Sequence, residues 1–418
     1  MAGFSAKERL IANLLSAFPG LKQAVKKAYI ILNAVLYKKN YIEKVFVDGE
    51  EIKTVWKGEE ESFFGYYDKC PENSRGDVLT HLTDYNTLNI PSSSHSIKIA
   101  VIFKDGHTKV IGETFSYNWQ QGARAMWLTD DLVMYNAFES GKYVARIYDL
   151  KSEQVIKTFN RPVQEACGTD YFLSINYRRI MAVRPDYGYR NMPLLSSAEL
   201  KSFEDSGIIK VDYATGKEAV LHSMEEIVNV DSKEIFTNCI HVVNHLMLSP
   251  EGTGLVFVHR YYEGKRRHDR LMYSDGQNLR CILDDEMVSH YCWLDEDRLF
   301  GYVRVKGADG FYTIHVKTGE VIPCDALNNL HNGDGHPTYF DGKIVVDTYP
   351  DKSRMQHLMI LDLKTQKVQE IVEVFQSVKY MNQTRCDMHP RFGLHGNCVY
   401  FDSVYSGKRT LNKVSLNL

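Results

Sequence analysis

Four histidines, His245, His290, His336 and His389, follow one another at intervals of 45, 46 and 53 residues. Two of them share a phrase, "GDGHPTYF" and "CDMHPRF", in which a small or acidic residue is followed by His, Pro and an aromatic. Imidazoles gathered in one place repel one another once protonated, and a divalent cation relieves this by binding the neutral form. Three imidazoles, those of His290, His336 and His389, with one carboxylate or amide oxygen suit Mn2+, Fe2+ or Zn2+. Asp387 and Gln383, just before His389, are candidates for that oxygen. Arg124, Arg184, Arg260, Arg385 and Arg391 are candidate forked donors to carboxylates. A metal flanked by arginines expects an acidic ligand. The alternative is structural: a repeated His can bond a neighbouring repeat's backbone, and lone histidines such as His81, His107 and His268 read as ordinary core or surface residues.

The elements that position these side chains are repeats. Segments beginning "NHLMLSPEG" at Asn244, "SHYCWLDED" at Ser289, "GHPTYFDGK" at Gly335 and "MHPRFGLHG" at Met388 lay over one another. Each reads as a short strand, a turn, a β-rich strand, a polar loop and a third strand, and most add a fourth. That period fits the ~40–50 residues of a four-stranded propeller blade. Weaker copies lie upstream, one through "ARAMWLTDDLVMYNAF" and one through "YYDKCPENSRGDVLTHL"; a further blade carries an insertion at about 187–206. The expectation is an all-β, seven-bladed β-propeller over 43–418, preferred to six or eight blades or two sandwiches. The strands near "EKVFVDGEEIKTVW" would complete the last blade and remove the exposed edges.

Propeller geometry brings the start of each innermost strand and the end of each second strand to one funnel. His245, His290, His336 and His389 share the inner position, and Arg124 takes it in the second blade, where Trp127 aligns with Trp293. The second-strand ends supply Asn136, His259, Asp347 and Asp402, with Arg184 nearby.

Residues 1–42 differ in texture. Leu10, Ile11, Leu14, Leu15 and Phe18, then Leu21, Val25, Ala28, Tyr29, Leu32, Val35 and Leu36, fall at helical spacing around a Pro19-Gly20 break. Through Tyr41 the segment holds seven Lys or Arg against Glu8, in a chain of net charge −3, so the charge is segregated. A basic amphipathic segment over 5–39 suits an anionic membrane surface; packing on the propeller or on a second copy are the alternatives. The net charge gives no global basic field for nucleic acid. No apolar run approaches the ~20 residues of a bilayer span, and the start lacks the pattern of a secretory signal. The expectation is a cytoplasmic protein, peripheral at the inner membrane through its preface, with its eight cysteines reduced.

His290-x-x-Trp293, the strand "LVFVHR" ending at His259-Arg260, and "QTRCDMHPRF" at Gln383–Phe392 together resemble the oligogalacturonate lyases. The resemblance implies a seven-bladed propeller that cleaves uronate oligosaccharides by β-elimination with Mn2+. It implies His290 and His389 as ligands with Gln383 beside them, and His259 as the base that removes the proton at sugar C5. His336 joins the ligands by blade alignment alone. In place of the family's His-x-His-Pro this chain has Asp387-Met388-His389-Pro390, and Gln383 stands six residues before His389. Removing a proton beside a carboxylate piles up negative charge, which a cation and an arginine such as Arg385 would stabilise. The leaving oxygen would take its proton from His245 or from a tyrosine such as Tyr262. The other readings are a non-lytic glycan-binding or assembly factor in bacterial surface-polysaccharide synthesis, and a protein-binding propeller with structural histidines.

Overall fold

A computed structural model describes residues 19–417, with side chains from residue 24 onward. The expected helical stripe at Leu10–Phe18 lies outside the described residues. Helix α1, Pro19–Leu36, starts with the proline at its first position, where the missing N–H costs no helical bond.

Seven antiparallel sheets follow, five built wholly from strands consecutive in the chain and two that each add one strand from its N-terminal side. Their innermost strands number the blades 1 to 7: Glu61–Phe63, Met126–Trp127, Glu165–Cys167, Ile240–Leu248, Val288–Trp293, Thr338–Phe340 and Arg391–Phe392. The blade starts expected at 244, 289, 335 and 388 all fall on or beside innermost strands. Alternate strand residues pack against both neighbouring blades, so both faces of a sheet are apolar. Between blades 4 and 5 the filling is Val256, Val258, Leu271, Tyr291, Leu299 and Ile314. Between blades 6 and 7 it is Val345, Leu358, Val372, Val399, Phe401 and Val414. Full burial of each such side chain stabilises by ~1.5–3 kcal/mol.

The ring closes through the N-terminal side of the chain, but not as one strand pair completing the last blade. Lys53–Thr54 pairs with Asn412 and Lys413 and becomes the outer strand of blade 7. Glu43–Val45 instead pairs with Val372–Val374 and makes blade 6 five-stranded. The reason lies just upstream, where Lys39 and Tyr41 both bind Glu373 and bring the chain onto the outer edge of blade 6. One segment thereby stitches two blades together.

The insertion in blade 3 is longer than its expected 187–206. It fills the gap between strands Tyr171–Ser174 and Ile208–Asp212 and carries helices α2, Tyr177–Val183, and α3, Ser197–Lys201. Asn176 caps α2 by accepting from Arg179 N at 3.1 Å. Ser196 and Glu199 form a capping box on α3. Between the helices, the run from Arg184 to Arg190 crosses to other blades: Asn118 donates to Tyr187 O at 3.0 Å, and Arg190 binds Gln383 of blade 7. All eight cysteines are free thiols.

Candidate functional site at the hub

The four histidines of blades 4 to 7 meet as a row around the axis. Ring centroids lie 5.8 Å apart for His245–His290, 3.9 Å for His290–His336 and 4.4 Å for His336–His389. Tyr66 and Tyr67 of blade 1 lie against this row: Tyr66 stacks on His245 at 5.3 Å, and Tyr67 leans on His336 at 5.3 Å. Local backbone irregularity aims the imidazoles inward. His245 and His290 each sit where the inner strand slips register against its neighbour, and such bulges re-aim side chains. Arg124, His245 and His389 have φ of 52°, 53° and 47°. A left-handed conformation costs a non-glycine residue ~1–2 kcal/mol, and such strain collects at functional sites.

The second-strand ends do a different job from the one expected of them. Asp347 accepts from His336 N at 2.7 Å and from His389 N at 3.1 Å, tying blade 6 to blade 7. Asp402 accepts from Phe64 N at 3.0 Å and Gly65 N at 2.9 Å, tying blade 7 to blade 1. Asn136 accepts from Val163 N at 2.6 Å, ahead of blade 3. These are staples between blades. Gly335 belongs to the same device: a Cβ there would lie 2.0 Å from Asp347 O, so only glycine lets the chain before His336 approach so closely.

His259 holds the corresponding end in blade 4 and is fully buried. Its Nε2 lies 2.9 Å from His241 Nδ1, and its Nδ1 lies 3.5 Å from Arg270. Burial, with His241 and Arg270 beside it, holds its pKa well below the usual value. The structure thus brings His259 together with His241, Phe236, Tyr261 and Arg270.

One group has the composition of a metal site. The ligand atoms of His336, Asp387 and His389 lie within 4.8 Å of one another, and all three residues are buried. Nε2 of His336 and Nε2 of His389 are both buried with no hydrogen-bond partner. Unpaired buried polar atoms are rare because each costs ~1–3 kcal/mol; two imidazole lone pairs beside a carboxylate fit a divalent cation. Nδ1 of His336 lies 2.9 and 3.0 Å from the two oxygens of Asp347, which fixes the ring as second-sphere carboxylates do for metal-bound histidines. His290 is held likewise, with Nδ1 3.2 Å from Asp334. Gln383 is half-buried and engaged by Arg190.

The electrostatics differ along the row. Burial pulls His336 down, but Asp347, Asp387 and Asp334 outweigh it and leave the pKa raised. Burial, then His336 and Arg391, push His389 well below its ordinary value. Burial, then Arg260 and His290, do the same for His245. His389 and His245 are therefore neutral at neutral pH, the form that binds a cation or accepts a proton.

Each candidate arginine has an aspartate partner. Arg124 makes a forked pair with Asp68 at 2.9 and 2.8 Å. Arg184 makes another with Asp186 at 3.2 and 3.0 Å. Arg260 Nε lies 2.5 Å from Asp269, leaving Nη1 buried and unpartnered. Arg391 donates to Tyr66 O at 3.1 Å and Asp402 at 3.0 Å, a structural setting inside the wall of the ring. Arg385 donates to Asp387 at 2.7 Å and to Asp186 at 3.1 Å. A chain of alternating charge, Arg184–Asp186–Arg385–Asp387, therefore runs to the metal-type group.

A cavity of about 600 Å3 leads to it. Arg385, Asp387 and Tyr349 line its inner end, and Tyr349 lies edge-on to His336 at 5.9 Å. Lys26, Tyr29, Ile30 and Asn33 of α1 form part of its wall. Sequence reasoning passed over Tyr66, Tyr67, Asp186, Tyr187 and Asp334. The adjacent tyrosines of "GYYDK" were the one visible hint, because the others lie outside the repeating blade positions.

No protein-family model matches the sequence, and no curated protein matches it either. Solved structures do match the fold. An oligogalacturonate lyase in complex with manganese superposes with a TM-score of 0.59 at 14% identity, covering 90% of this chain and 96% of its own. An oligogalacturonate lyase from Vibrio parahaemolyticus gives 0.59 at 16% identity, covering 89% and 96%. This chain accordingly has the seven-bladed propeller fold of the oligogalacturonate lyases.

Proposed function

We propose that the protein is a metal-dependent lyase acting by β-elimination on acidic, uronate-containing oligo- or polysaccharides. The observation that carries this reading is the buried group of His336, Asp387 and His389, whose ligand atoms lie within 4.8 Å of one another and in which both histidines keep an unpartnered Nε2. His336, Asp387 and His389 are the ligands, and His290 flanks them. A bound divalent metal, Mn2+ by analogy with the similar manganese-bound structure, would neutralise the uronate carboxylate and so acidify the adjacent C5–H. Arg385 orients the same carboxylate at the inner end of the cavity.

His245 takes the C5 proton in this reading. It stands in the imidazole row, Tyr66 hydroxyl bonds its Nδ1, and its depressed pKa keeps it neutral. The electron pair of the broken C5–H bond forms the C4=C5 double bond as the C4–O bond breaks. Tyr187 lies edge-on to His245 at 5.5 Å, and burial raises its pKa, so it retains a proton for the departing oxygen. The test is incubation with uronate oligosaccharides and Mn2+, following the ultraviolet absorbance of a 4,5-unsaturated product. A metal-dependent rise supports the lyase. Saturable glycan binding with no product points to the second reading, a non-lytic glycan-binding factor.

A further inference from the structure

Helix α1 is oriented the wrong way round for a surface helix. Such helices turn their apolar face to the body of the protein and their polar face to water. Here the body-facing side carries the buried Asn33, with Lys26, Tyr29 and Ile30 beside it on the cavity wall. The outward side carries Val25, Ile31, Leu32, Val35 and Leu36, and Leu32, Val35 and Leu36 are 57%, 70% and 67% exposed. At 3.6 residues per turn these residues form one continuous stripe. Tyr37 and Ile42, just beyond the helix, extend the exposed patch. The helix is not free to roll its stripe inward. Lys39 and Tyr41 are bound to Glu373, and Phe375 N donates to Ile42 O at 2.8 Å.

Charge identifies what covers the stripe. Through Tyr41 the segment has seven basic residues against one acid, in a chain of net charge −3. Lys27 and Lys38 are exposed. A second copy of the chain would bring this basic segment against an identical one. An anionic bilayer instead takes apolar side chains at its acyl boundary and lysines at its headgroups. Among the described residues no helix is long and apolar enough to cross a membrane, so the contact is interfacial. We propose that α1 seats the protein on an anionic membrane surface by this stripe. The cavity then lies on the opposite side of the helix, about 10 Å from the lipid, one helix diameter away.

The experiment is flotation of the full chain with vesicles of phosphatidylcholine alone and of phosphatidylcholine with phosphatidylglycerol. The chain floats with the anionic vesicles, stays down with the neutral ones and is released by high salt. A Leu32→Glu, Val35→Glu double variant loses about tenfold or more in lipid affinity while its circular dichroism spectrum is unchanged, since both side chains are exposed. Absence of flotation with acidic lipid overturns the proposal, as does undiminished flotation of the double variant. Light scattering supplies the other arm: a dimer that the same substitutions dissociate assigns the stripe to a second copy and overturns the membrane seat.

Discussion

Half-buried Arg385 and buried Asp387 pair on the wall of the cavity, with Nε 2.7 Å from Oδ2. The same guanidinium reaches Asp186 at 3.1 Å and the Tyr187 hydroxyl at 3.5 Å. Asp387, Tyr187 and Asp186, together with Tyr349, keep the guanidinium pKa well above its ordinary value despite burial. Arg385 is thus a permanent cation that both aims the Asp387 carboxylate and faces the cavity.

Arg385→Lys tests that double duty. A single ammonium cannot span three partners, so Asp387 loses its fixed orientation. Removing a group that orients a metal ligand typically lowers metal affinity ~10–100-fold. Calorimetric titration with Mn2+ measures the loss, and an unchanged dissociation constant would remove Arg385 from the metal site.

Asp347→Asn separates blade stapling from ligand tuning. The carboxylate accepts two backbone N–H groups and faces the His336 ring. The amide weakens all three contacts, so unfolding free energy should fall by about 2–3 kcal/mol. Metal affinity should drop in parallel. Denaturant midpoints and metal titration together check this; a loss of affinity at full stability would make Asp347 purely a tuning residue.

His259→Ala distinguishes the two places available for a base. Packed between His241, Phe236, Tyr261 and Arg270, His259 should behave as a core residue, and its removal should cost ~2–4 kcal/mol. Turnover should persist at temperatures where the variant is folded. His245→Ala should abolish turnover with metal content retained. The reverse pattern returns the base to His259.

His357 sets a pH dependence of stability. Burial pulls its pKa down, but Asp351, Glu370 and Glu373 pull harder and raise it from 6.5 to about 9. Because the folded value is raised, the extra stability is fully present below the unfolded pKa and is lost as pH climbs through about 9. A shift of this size corresponds to roughly 3 kcal/mol. Thermal melts of the protein and of His357→Gln from pH 6 to pH 10 should converge as the pH rises, whereas a constant gap between them would contradict this account.

What could be read from the chain, and what could not, follows from period. Blade starts at Asn244, Ser289, Gly335 and Met388 recur near the propeller repeat, so the ring and the convergence of His245, His290, His336 and His389 were legible. The same logic treated every second-strand end as a funnel residue, yet Asn136, Asp347 and Asp402 spend their oxygens on the backbone of the following blade. Repetition reports a shared position in the fold and does not say whether the side chain faces a ligand or a neighbour. The blade 3 insertion was legible as a break in the repeat, but because it repeats nowhere its delivery of Asp186 and Tyr187 to the hub was not. The long-range pairs Arg124–Asp68 and Arg385–Asp186 were likewise beyond a one-dimensional reading.

The most direct measurement is a crystal structure grown with Mn2+, inspected in the anomalous difference map. The account predicts a single strong peak within coordination distance, ~2.0–2.3 Å, of His336 Nε2, His389 Nε2 and an Asp387 oxygen. The peak should be absent from a His389→Ala crystal. A map with no peak at that point, at metal concentrations that occupy other sites, would contradict a metal centre at the hub.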